Sequence, residues 1–373
     1  QDAAKKQAEA ALNDGTLTQE QIDARWDIVN NMEFCKLRDD MTYDTFAAMH
    51  VREAEVPANL IEAAGAWADT AVITISRFSA EGVDRRPIPG EYYLSDLEKD
   101  LIDKCCEQFK KVIIVINSGA TIDCEYFATK PQVGAVLFGW QGGIEGGGAI
   151  ADILCGDVTP SGKLADTFAK RLEDYPSTEN FHESDDYVDY TEDIYVGYRY
   201  FETIPGAAER VNYPFGYGLS YTEFHWDILS AEQIGESIRI VVAVKNTGKF
   251  AGKEVIQVYA GAPRGKLGKA NRSLVAFQKT GLLQPDQTQT LTLEFPIYAM
   301  ASYDDLGKVA KSAYVLEKGK YTFYVGNSVR NTAALDDLFS LTEDRIVQQL
   351  SAKLTPKGLK KRLLADGSYE ALP

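Results

Sequence analysis

The chain has 373 residues, of which 45% are hydrophobic and 25% are charged, and its formal net charge is −16. This length predicts two or three domains with a substantial buried core. The acidic charge argues against sequence-independent nucleic-acid binding and against binding to anionic membranes, and no apolar run approaches the roughly 18 residues of a membrane helix.

The first 65 residues are polar and helix-prone, and residues 2–12 are rich in alanine. We therefore expect residues 1–65 to form a helical N-terminal segment, whose last helix covers 53–69. This segment contains no hydrophobic signal-peptide core. The chain starts with Gln1 rather than Met, so we expect a processed or trimmed piece of a longer protein.

Residues 66–182 are expected to form an α/β sandwich domain. Candidate strands rich in β-branched residues alternate here with helical stretches, and strands that are apolar on both faces predict a mostly parallel sheet with flanking helices. Ser95, followed three residues later by Glu98, predicts the N-terminus of one helix. The predicted strands cover 70–77, 111–117 and 133–140, and the predicted helices cover 94–110, 121–129 and 145–156.

The remaining residues divide into three parts. Residues 183–222 have little periodicity and many tyrosines, which predicts an ordered linker. Short strands separated by turn signals predict an all-β sandwich over 223–330. Residues 331–373 return to a helix-prone composition, notably over 342–354, and are expected to form a C-terminal connector. The predicted strands of the sandwich cover 237–248, 253–261, 272–283, 288–296 and 319–327.

The cysteines and histidines offer no sign of a disulfide framework or a metal site. Five cysteines form an odd set without a CxxC pair, which predicts reduced thiols in a cytoplasmic protein. The three histidines are scattered without ligand spacing, so neither a metal nor a cofactor is expected.

Ligands of an open parallel α/β sheet bind outside the carboxyl ends of its strands. Three loops follow predicted strands at that edge, over 76–90, 117–123 and 139–148. Glycoside hydrolysis needs a protonated acid beside the leaving oxygen and a second carboxylate at the anomeric carbon, and a loop can carry such a carboxyl group into a shared cleft. A solvated surface loop with local ion pairs is the alternative. The first loop presents Arg77, Glu81, Asp84, Arg85 and Arg86 within ten residues.

The third loop, GWQGGIEGGG, is rich in glycine but lacks the order of the phosphate-binding glycine patterns. Close packing of a helix N-terminus against the sheet explains these glycines better than a phosphate does. A nucleotide-dependent enzyme stays as an alternative. Trp140 and Gln141 in this loop could line a sugar cleft, since aromatic faces pack on the apolar surfaces of sugars.

Four ordered motifs resemble signatures of glycoside hydrolase family 3. They are VGAVLFGWQGGIEGGGAIADIL (133–154), GDVTPSGKLADTF (156–168), YTEDIYVGYRYFE (190–202) and YPFGYGLSYTEF (213–224). The segment VAVKNTGKFAGKEVIQVYAGAP (242–263) is similar to the fibronectin type III-like domain of that family. The resemblance covers about residues 66–330. It implies a multi-domain chain, in which an α/β sandwich is followed by an all-β fibronectin type III-like sandwich.

The resemblance also implies how the reaction is divided between domains. In this family a (β/α)₈ barrel supplies an Asp nucleophile, and many members carry the acid/base in a loop like SAEGVDRR. Glu81 is therefore the expected catalytic residue, and Asp84 and Arg85 are expected to orient the loop or contact substrate. Arg77, Trp140 and Gln141 complete the expected substrate-binding set.

The sequence departs from the family pattern in two places. No barrel is recognisable within the chain, so the nucleophile is expected on another chain or on a missing segment. Residues 1–50 do not match the early part of the family's sandwich. Residues 347–373 resemble the connector that leads into a late barrel, which favours a member with inverted domain order.

The resulting expectation is retaining hydrolysis of terminal β-D-glucosyl residues from small β-glucosides or oligosaccharides. A β-xylosidase or arabinosidase of the same family is the near alternative. A non-catalytic carbohydrate-binding or assembly module is the alternative from a different class. The fibronectin type III-like domain could also contribute to a homodimer.

Overall fold

The computed structural model describes most of the chain beyond residue 53. The described residues are 54–77, 85–181, 183–184, 186–352 and 358–373. Glu81 and Asp84, together with the helices expected before residue 53, lie outside the described residues.

The chain divides into two compact units. The first unit consists of Gln1–Ala120 and Gln132–Gln141. The second unit consists of Thr121–Pro131 and Gly142–Pro373.

The first unit contains a three-stranded parallel sheet of order β1-β2-β3. Its elements are α1 (Ala58–Trp67), β1 (Thr70–Ser76), α2 (Asp96–Gln108), β2 (Lys111–Asn117) and β3 (Val133–Phe138). The register pairs Ser76 with Asn117 and Ile116 with Phe138, so the three strands end at one edge of the sheet. This arrangement confirms the predicted parallel α/β fold.

Helix α2 begins where the sequence predicts. The Ser95 hydroxyl accepts a hydrogen bond from the Glu98 backbone N–H at 3.1 Å, and a Glu98 carboxylate oxygen accepts one from the Ser95 N–H at 2.7 Å. This reciprocal pair is a capping box, which satisfies two backbone donors at the helix N-terminus. Ile102 and Cys105, one turn apart, form the buried face of the helix.

The strands of this sheet differ in burial. β2 is buried along most of its length. β1 alternates instead, because Ile73 and Ile75 are buried whereas Val72 is 51% exposed. The expectation that these strands are buried on both faces therefore fits β2 better than β1.

The second unit begins with short elements, some of which lie within the linker predicted over 183–222. They are α3 (Glu125–Ala128), α4 (Gly146–Cys155), β4 (Phe168–Ala169), α5 (Tyr198–Phe201) and β5 (Val211–Tyr213). β4 and β5 pair in antiparallel fashion, and Phe201 is buried with Ala169 and Val211. The predicted linker is thus packed into the unit. No helix within the described ranges is both long and apolar enough to span a membrane.

The rest of the second unit is an antiparallel β-sandwich with two further small sheets. Its strands are β6 (Phe224–Ile234), β7 (Ser237–Asn246), β8 (Val255–Gly261), β9 (Ser273–Lys279), β10 (Thr288–Pro296), β11 (Ser302–Asp304), β12 (Ala313–Leu316), β13 (Gly319–Gly326), β14 (Thr332–Leu341), β15 (Arg345–Gln349), β16 (Lys361–Leu363) and β17 (Tyr369–Ala371). The sandwich consists of one sheet of order β10-β7-β6 and another of order β14-β13-β8-β9.

The sandwich core comes from alternating residues of both sheets. Along β7 every second residue from Ile238 to Val244 is fully buried. Phe295 of β10 and Phe323 of β13 meet across the core, with ring centroids 5.8 Å apart. Because successive side chains of a strand point to opposite faces, this period of two places one apolar face of each sheet in the core.

The structure corrects the prediction for the C-terminal part of the chain. β14 pairs with β13 within the sandwich, and β15 pairs with β12. The helix expected over 342–354 was therefore wrong, and the sandwich continues past residue 330. The propensity of single residues is a weak guide here, because strand pairing with distant segments overrides it.

Candidate active site at the carboxyl edge of the parallel sheet

All three loops selected from the sequence begin at the carboxyl edge of the first unit's sheet. The Arg77 N–H donates to the Asn117 carbonyl at 2.9 Å, and the Gly139 N–H donates to the Ile116 carbonyl at 2.9 Å. Strand pairing therefore holds the start of each loop beside β2. Since neighbouring strands lie about 4.8 Å apart, the ends of β1 and β3 are separated by roughly 10 Å.

Arg77 is the first residue after β1, and all five of its guanidinium N–H groups have partners. Two bond the Glu98 carboxylate, at 2.6 and 2.8 Å. The others bond the backbone carbonyls of Glu91, Ser76 and Tyr93. The side chains of Arg77 and Glu98 are only 4% and 5% exposed. A bidentate pair of this kind is rigid and directional, so Arg77 fixes the start of the loop.

The return of the loop is fixed by a second arginine. The Glu91 carboxylate accepts hydrogen bonds from the Arg86 backbone N–H at 2.5 Å and from its guanidinium at 2.6 and 2.8 Å. Glu91 is buried, and its carbonyl also accepts a bond from Arg77. Arg77 and Arg86, the described residues that flank the predicted site residues Glu81 and Asp84, are therefore tied to the same group of residues.

Arg85 lies next to this group and is partly buried. Burial, together with the nearby charge of Arg77, lowers the pKa of the Arg85 guanidinium, whereas Tyr92 and Glu91 act in the opposite direction. A cation held in a poorly solvated position interacts more strongly with an anionic or polar ligand than one in bulk water does.

Trp140 and Gln141 follow β3 at the same edge. The Trp140 backbone has φ of +51°, a left-handed conformation that is rare for a bulky residue. Its ring packs on Phe138, with centroids 5.9 Å apart. The Gln141 amide lies over Gly119, where an added Cβ atom would come within 2.7 Å of it. Gly119 therefore lets the second and third loops approach each other.

The predicted site residues fall into two groups. The structure brings Arg77, Arg85, Trp140 and Gln141 to one edge of one sheet. All five guanidinium N–H groups of Arg77 are hydrogen-bonded within the protein. The described geometry therefore assigns Arg77 a positioning role and gives no support to a contact between Arg77 and a sugar. Glu81 and Asp84 remain predictions, because both lie outside the described residues.

The glycines after Trp140 have a structural explanation that needs no phosphate. A Cβ atom on Gly142 would come within 2.7 Å of the Gly146 Cα. The chain must therefore lack a side chain here for the backbone to turn into α4. This contact supports the packing interpretation over the nucleotide alternative.

The motif GDVTPSGKLADTF also carries a buried link within the second unit. The Lys163 ammonium lies 2.8 Å from a Glu254 carboxylate oxygen and donates to the Gly218 carbonyl at 3.2 Å. An added Cβ atom on Gly218 would come within 2.2 Å of the Gly162 carbonyl oxygen. The motif therefore joins the segment around 213–224 to the start of β8.

Glu91 was missed in the sequence as a positioning residue, and Glu98 was recognised only as a cap. An acidic residue five positions after Arg86 is a weak signal, because such pairs are usually exposed and contribute little. Burial gives Glu91 and Glu98 their importance, and burial cannot be derived from their spacing alone.

Two protein-family models match the chain. Residues 4–221 match the family model for the glycosyl hydrolase family 3 C-terminal domain, and residues 254–329 match that for the fibronectin type III-like domain. The first match begins at residue 4, so the expectation that residues 1–50 depart from the family pattern was wrong.

Two bacterial proteins illustrate the similarity in sequence. Beta-glucosidase A of Butyrivibrio fibrisolvens is 51% identical over 360 residues, which cover 87% of this chain and 43% of the relative. A beta-glucosidase of Ruminococcus albus is 44% identical over 328 residues, which cover 86% of this chain and 34% of the relative. The chain therefore spans less than half the length of these relatives.

Solved structures of beta-glucosidases are also similar to this chain, and this chain again covers less than half of each. A beta-glucosidase from Paenibacillus barengoltzii superposes with a TM-score of 0.81 and 40% identity over 94% of this chain and 39% of that one. Beta-glucosidase 3B from Thermotoga neapolitana, solved in complex with α-D-glucose, gives a TM-score of 0.72 and 36% identity over 90% of this chain and 46% of that one.

Proposed function

Because the chain belongs to glycosyl hydrolase family 3, we propose that it is the non-barrel part of a retaining β-glucosidase, with Glu81 as its general acid/base. Its relatives at 51% and 44% identity are named beta-glucosidases, which supports terminal β-D-glucosyl residues as the substrate. A (β/α)₈ barrel, on another chain or on a further segment, supplies the nucleophilic Asp in this proposal.

The observation that carries the proposal is the anchoring of the described residues on both sides of segment 78–84. Arg77 and Glu98 hold its start, and Arg86 and Glu91 hold its return. A general acid must be positioned within hydrogen-bond reach of the leaving oxygen. A loop tied at both ends to a buried ion-pair network can present a carboxyl group reproducibly, whereas an untied loop cannot.

The reaction proceeds in two displacements. In the first, the Glu81 carboxyl group donates its proton to the glycosidic oxygen while the Asp of the barrel attacks the anomeric carbon. The leaving alcohol departs, and a covalent glycosyl-enzyme forms. In the second, the Glu81 carboxylate takes a proton from water, which displaces the Asp and releases the sugar. Retaining geometry places the two carboxyl groups about 5–5.5 Å apart.

The neighbouring residues have supporting roles in this proposal. Asp84 and Arg85 orient the loop or hydrogen-bond the sugar, and the Trp140 ring covers an apolar sugar face. The left-handed backbone of Trp140 fits this role, because strained backbone clusters at ligand sites. Gln141, held over Gly119, contributes an amide beside it.

The decisive experiment measures Glu81→Gln in the enzyme assembled with its barrel. We expect kcat on an aryl glucoside with a poor leaving group to fall by about 10²–10⁴-fold. A substrate with an activated leaving group needs less protonation, so its glycosylation rate falls much less. Added azide should then restore turnover and yield a β-glucosyl azide, because azide needs no general base.

The matched control is Glu107→Gln, which changes an exposed carboxylate on α2. This variant is expected to keep wild-type kinetics. An unchanged rate in Glu81→Gln, or a loss that is equal for both leaving groups and insensitive to azide, would rule out Glu81 as the acid/base. A cytoplasmic location and homodimer formation stay predictions, which fractionation and analytical ultracentrifugation test.

A further inference from the structure

A polar cleft of about 990 Å³ lies within the second unit and is lined by residues between Asp193 and Glu370. Its walls come from the segment around Tyr195, from the β8–β9 connection, from the stretch around Ser302 and from the β16–β17 hairpin. The sequence predicts a linker for the first of these parts and a connector for the last. The cleft is large enough for a short oligosaccharide, since ligand pockets typically measure about 300–1,000 Å³.

Several cations of this cleft are neutralised by the protein itself. Arg362 forms a bidentate pair with Asp305 at 3.0 and 3.1 Å and bonds Glu370 at 3.1 Å. Lys308 also bonds Glu370, at 2.6 Å. These pairs fix the hairpin against the β11–β12 loop, so they build the wall of the cleft and are not free to recognise a ligand.

The deepest cation is neutralised as well. Lys269 is buried and lies 3.0 Å from the Glu317 carboxylate, and its ammonium donates to the Ser302 hydroxyl at 2.7 Å. Its charge and hydrogen-bonding capacity are therefore largely used within the protein.

Two further cations differ from these. Within the part of the chain that the structure describes, the side chains of Arg199 and Lys266 have no hydrogen-bond or ion-pair partner. Arg199 is half-buried, and no anion among the described residues pairs with its guanidinium. Burying a charge in this way is costly unless it is paired, and an anionic ligand would supply the pair.

A third residue of the cleft, Tyr303, also has a polar group that the described residues leave unsatisfied. The Tyr303 hydroxyl is buried and has no hydrogen-bond partner among the described residues. Buried hydroxyl groups are normally satisfied by protein or by an ordered ligand. Tyr303 and Arg199 line the same cleft. One bound molecule can therefore hydrogen-bond the Tyr303 hydroxyl and neutralise the Arg199 guanidinium.

The remaining surface of the cleft suits a sugar ring. Small apolar side chains, among them Ala260, Ala262 and Ala301, line the cleft together with Tyr198. Overall the lining contains six basic and four acidic residues, in a chain whose formal net charge is −16. The charge balance of the cleft lining is therefore positive, whereas the net charge of the whole chain is negative.

We propose that this cleft binds a uronic-acid unit, with Arg199 and Lys266 pairing its carboxylate and Tyr303 hydrogen-bonding a ring hydroxyl. A charged pair to a guanidinium is among the stronger contacts available to a carbohydrate. The proposal does not depend on Glu81, since no residue of the first unit lines the cleft.

Isothermal titration calorimetry of the full chain tests this with glucuronate and glucose, which differ only at C6. We expect glucuronate to bind and glucose to bind at least about tenfold more weakly, because only the carboxylate of glucuronate can form charge-assisted hydrogen bonds with the cations of the cleft. Arg199→Met should weaken glucuronate binding at least about tenfold. Lys266→Met changes an exposed side chain, so it tests the same contact without risk to folding.

The control variant is Arg239→Met, which removes a cation from an exposed pair on β7 and should leave binding unchanged. Glu81→Gln should also bind glucuronate normally, which separates this proposal from the catalytic one. Equal binding of glucose and glucuronate, equal binding of inorganic phosphate, or unchanged affinity in both Arg199→Met and Lys266→Met would overturn it.

Discussion

The β-sandwich of the second unit and the parallel sheet of the first unit bury their apolar residues differently. In the sandwich, alternating residues of two sheets face each other, and β7 contributes fully buried side chains at every second position. In the parallel sheet, β1 buries Ile73 and Ile75 but leaves Val72 51% exposed. The sandwich therefore has a closed core of its own, whereas the described part of the sheet buries one face of β1.

The two units also differ in the role of apolar packing. In the first unit, a few buried ion pairs, above all Arg77 with Glu98, hold the edge that carries the candidate active site. In the second unit, ion pairs fix the wall of the cleft, but a shared apolar core holds the two sheets of the sandwich together. We infer that mutations in the sandwich affect global stability most, whereas mutations at the sheet edge affect loop geometry first.

The largest expected effect comes from the sandwich core. Phe323 is 0% exposed, so Phe323→Ala should lower the free energy of unfolding by about 4 kcal/mol through lost burial and a residual cavity. Val72→Ala, a smaller truncation at a half-exposed position of β1, should cost less than about 1 kcal/mol. Urea denaturation measures both, and hydrogen exchange assigns each loss to its strands. Comparable losses would contradict the contrast between the units.

A smaller effect is expected at the sheet edge. Arg77→Met leaves Glu98 buried and uncompensated, which should cost about 3 kcal/mol and speed hydrogen exchange around β1 and α2. Adding Glu98→Gln should recover part of this loss, because Gln keeps the helix cap without the charge. Arg239→Met, in an exposed pair with Glu294, serves as the control and should cost less than about 1 kcal/mol. Strictly additive losses in the double variant would argue against the buried pair.

The smallest of these effects concerns the β11–β12 loop. Asp304 is 1% exposed, and its carboxylate accepts backbone N–H bonds from four residues. They are Gly307, Lys308, Val309 and Ala310, at 2.7–3.0 Å. Burial alone would raise the pKa of Asp304, but these donors hold it below its usual range. Asp304→Asn should lower stability by about 2 kcal/mol at neutral pH.

The pH dependence of that loss follows from the sign of the shift. A carboxylate with a depressed folded-state pKa stabilises the protein above its ordinary pKa of about 3.9, and this contribution is lost as the pH falls through the folded-state value. The gap between wild type and Asp304→Asn should therefore narrow below about pH 4. Asp286→Asn, which changes an exposed partner of Lys245, should show no such trend. A gap that stays constant down to acid unfolding would contradict the depressed pKa.

Local patterns in the sequence determined much of the fold. The β-branched runs at 70–77 and 111–117 predicted β1 and β2, and Ser95 with Glu98 predicted the start of α2. The motifs at 156–168 and 213–224 indicated the family, which the comparisons show. All of these signals depend on residues close together in the chain, where periodicity and capping act.

Only the tertiary structure decided which residues pair over long distances. Arg77 and Glu98 are 21 positions apart, and their burial turns two ordinary charges into the anchor of the candidate loop. The strand β15 likewise forms because β12 pairs with it, although residues 342–354 favour a helix by composition. Burial and strand partnership are properties of the folded chain, so neither Arg77 as an anchor nor β15 as a strand could be derived from local sequence.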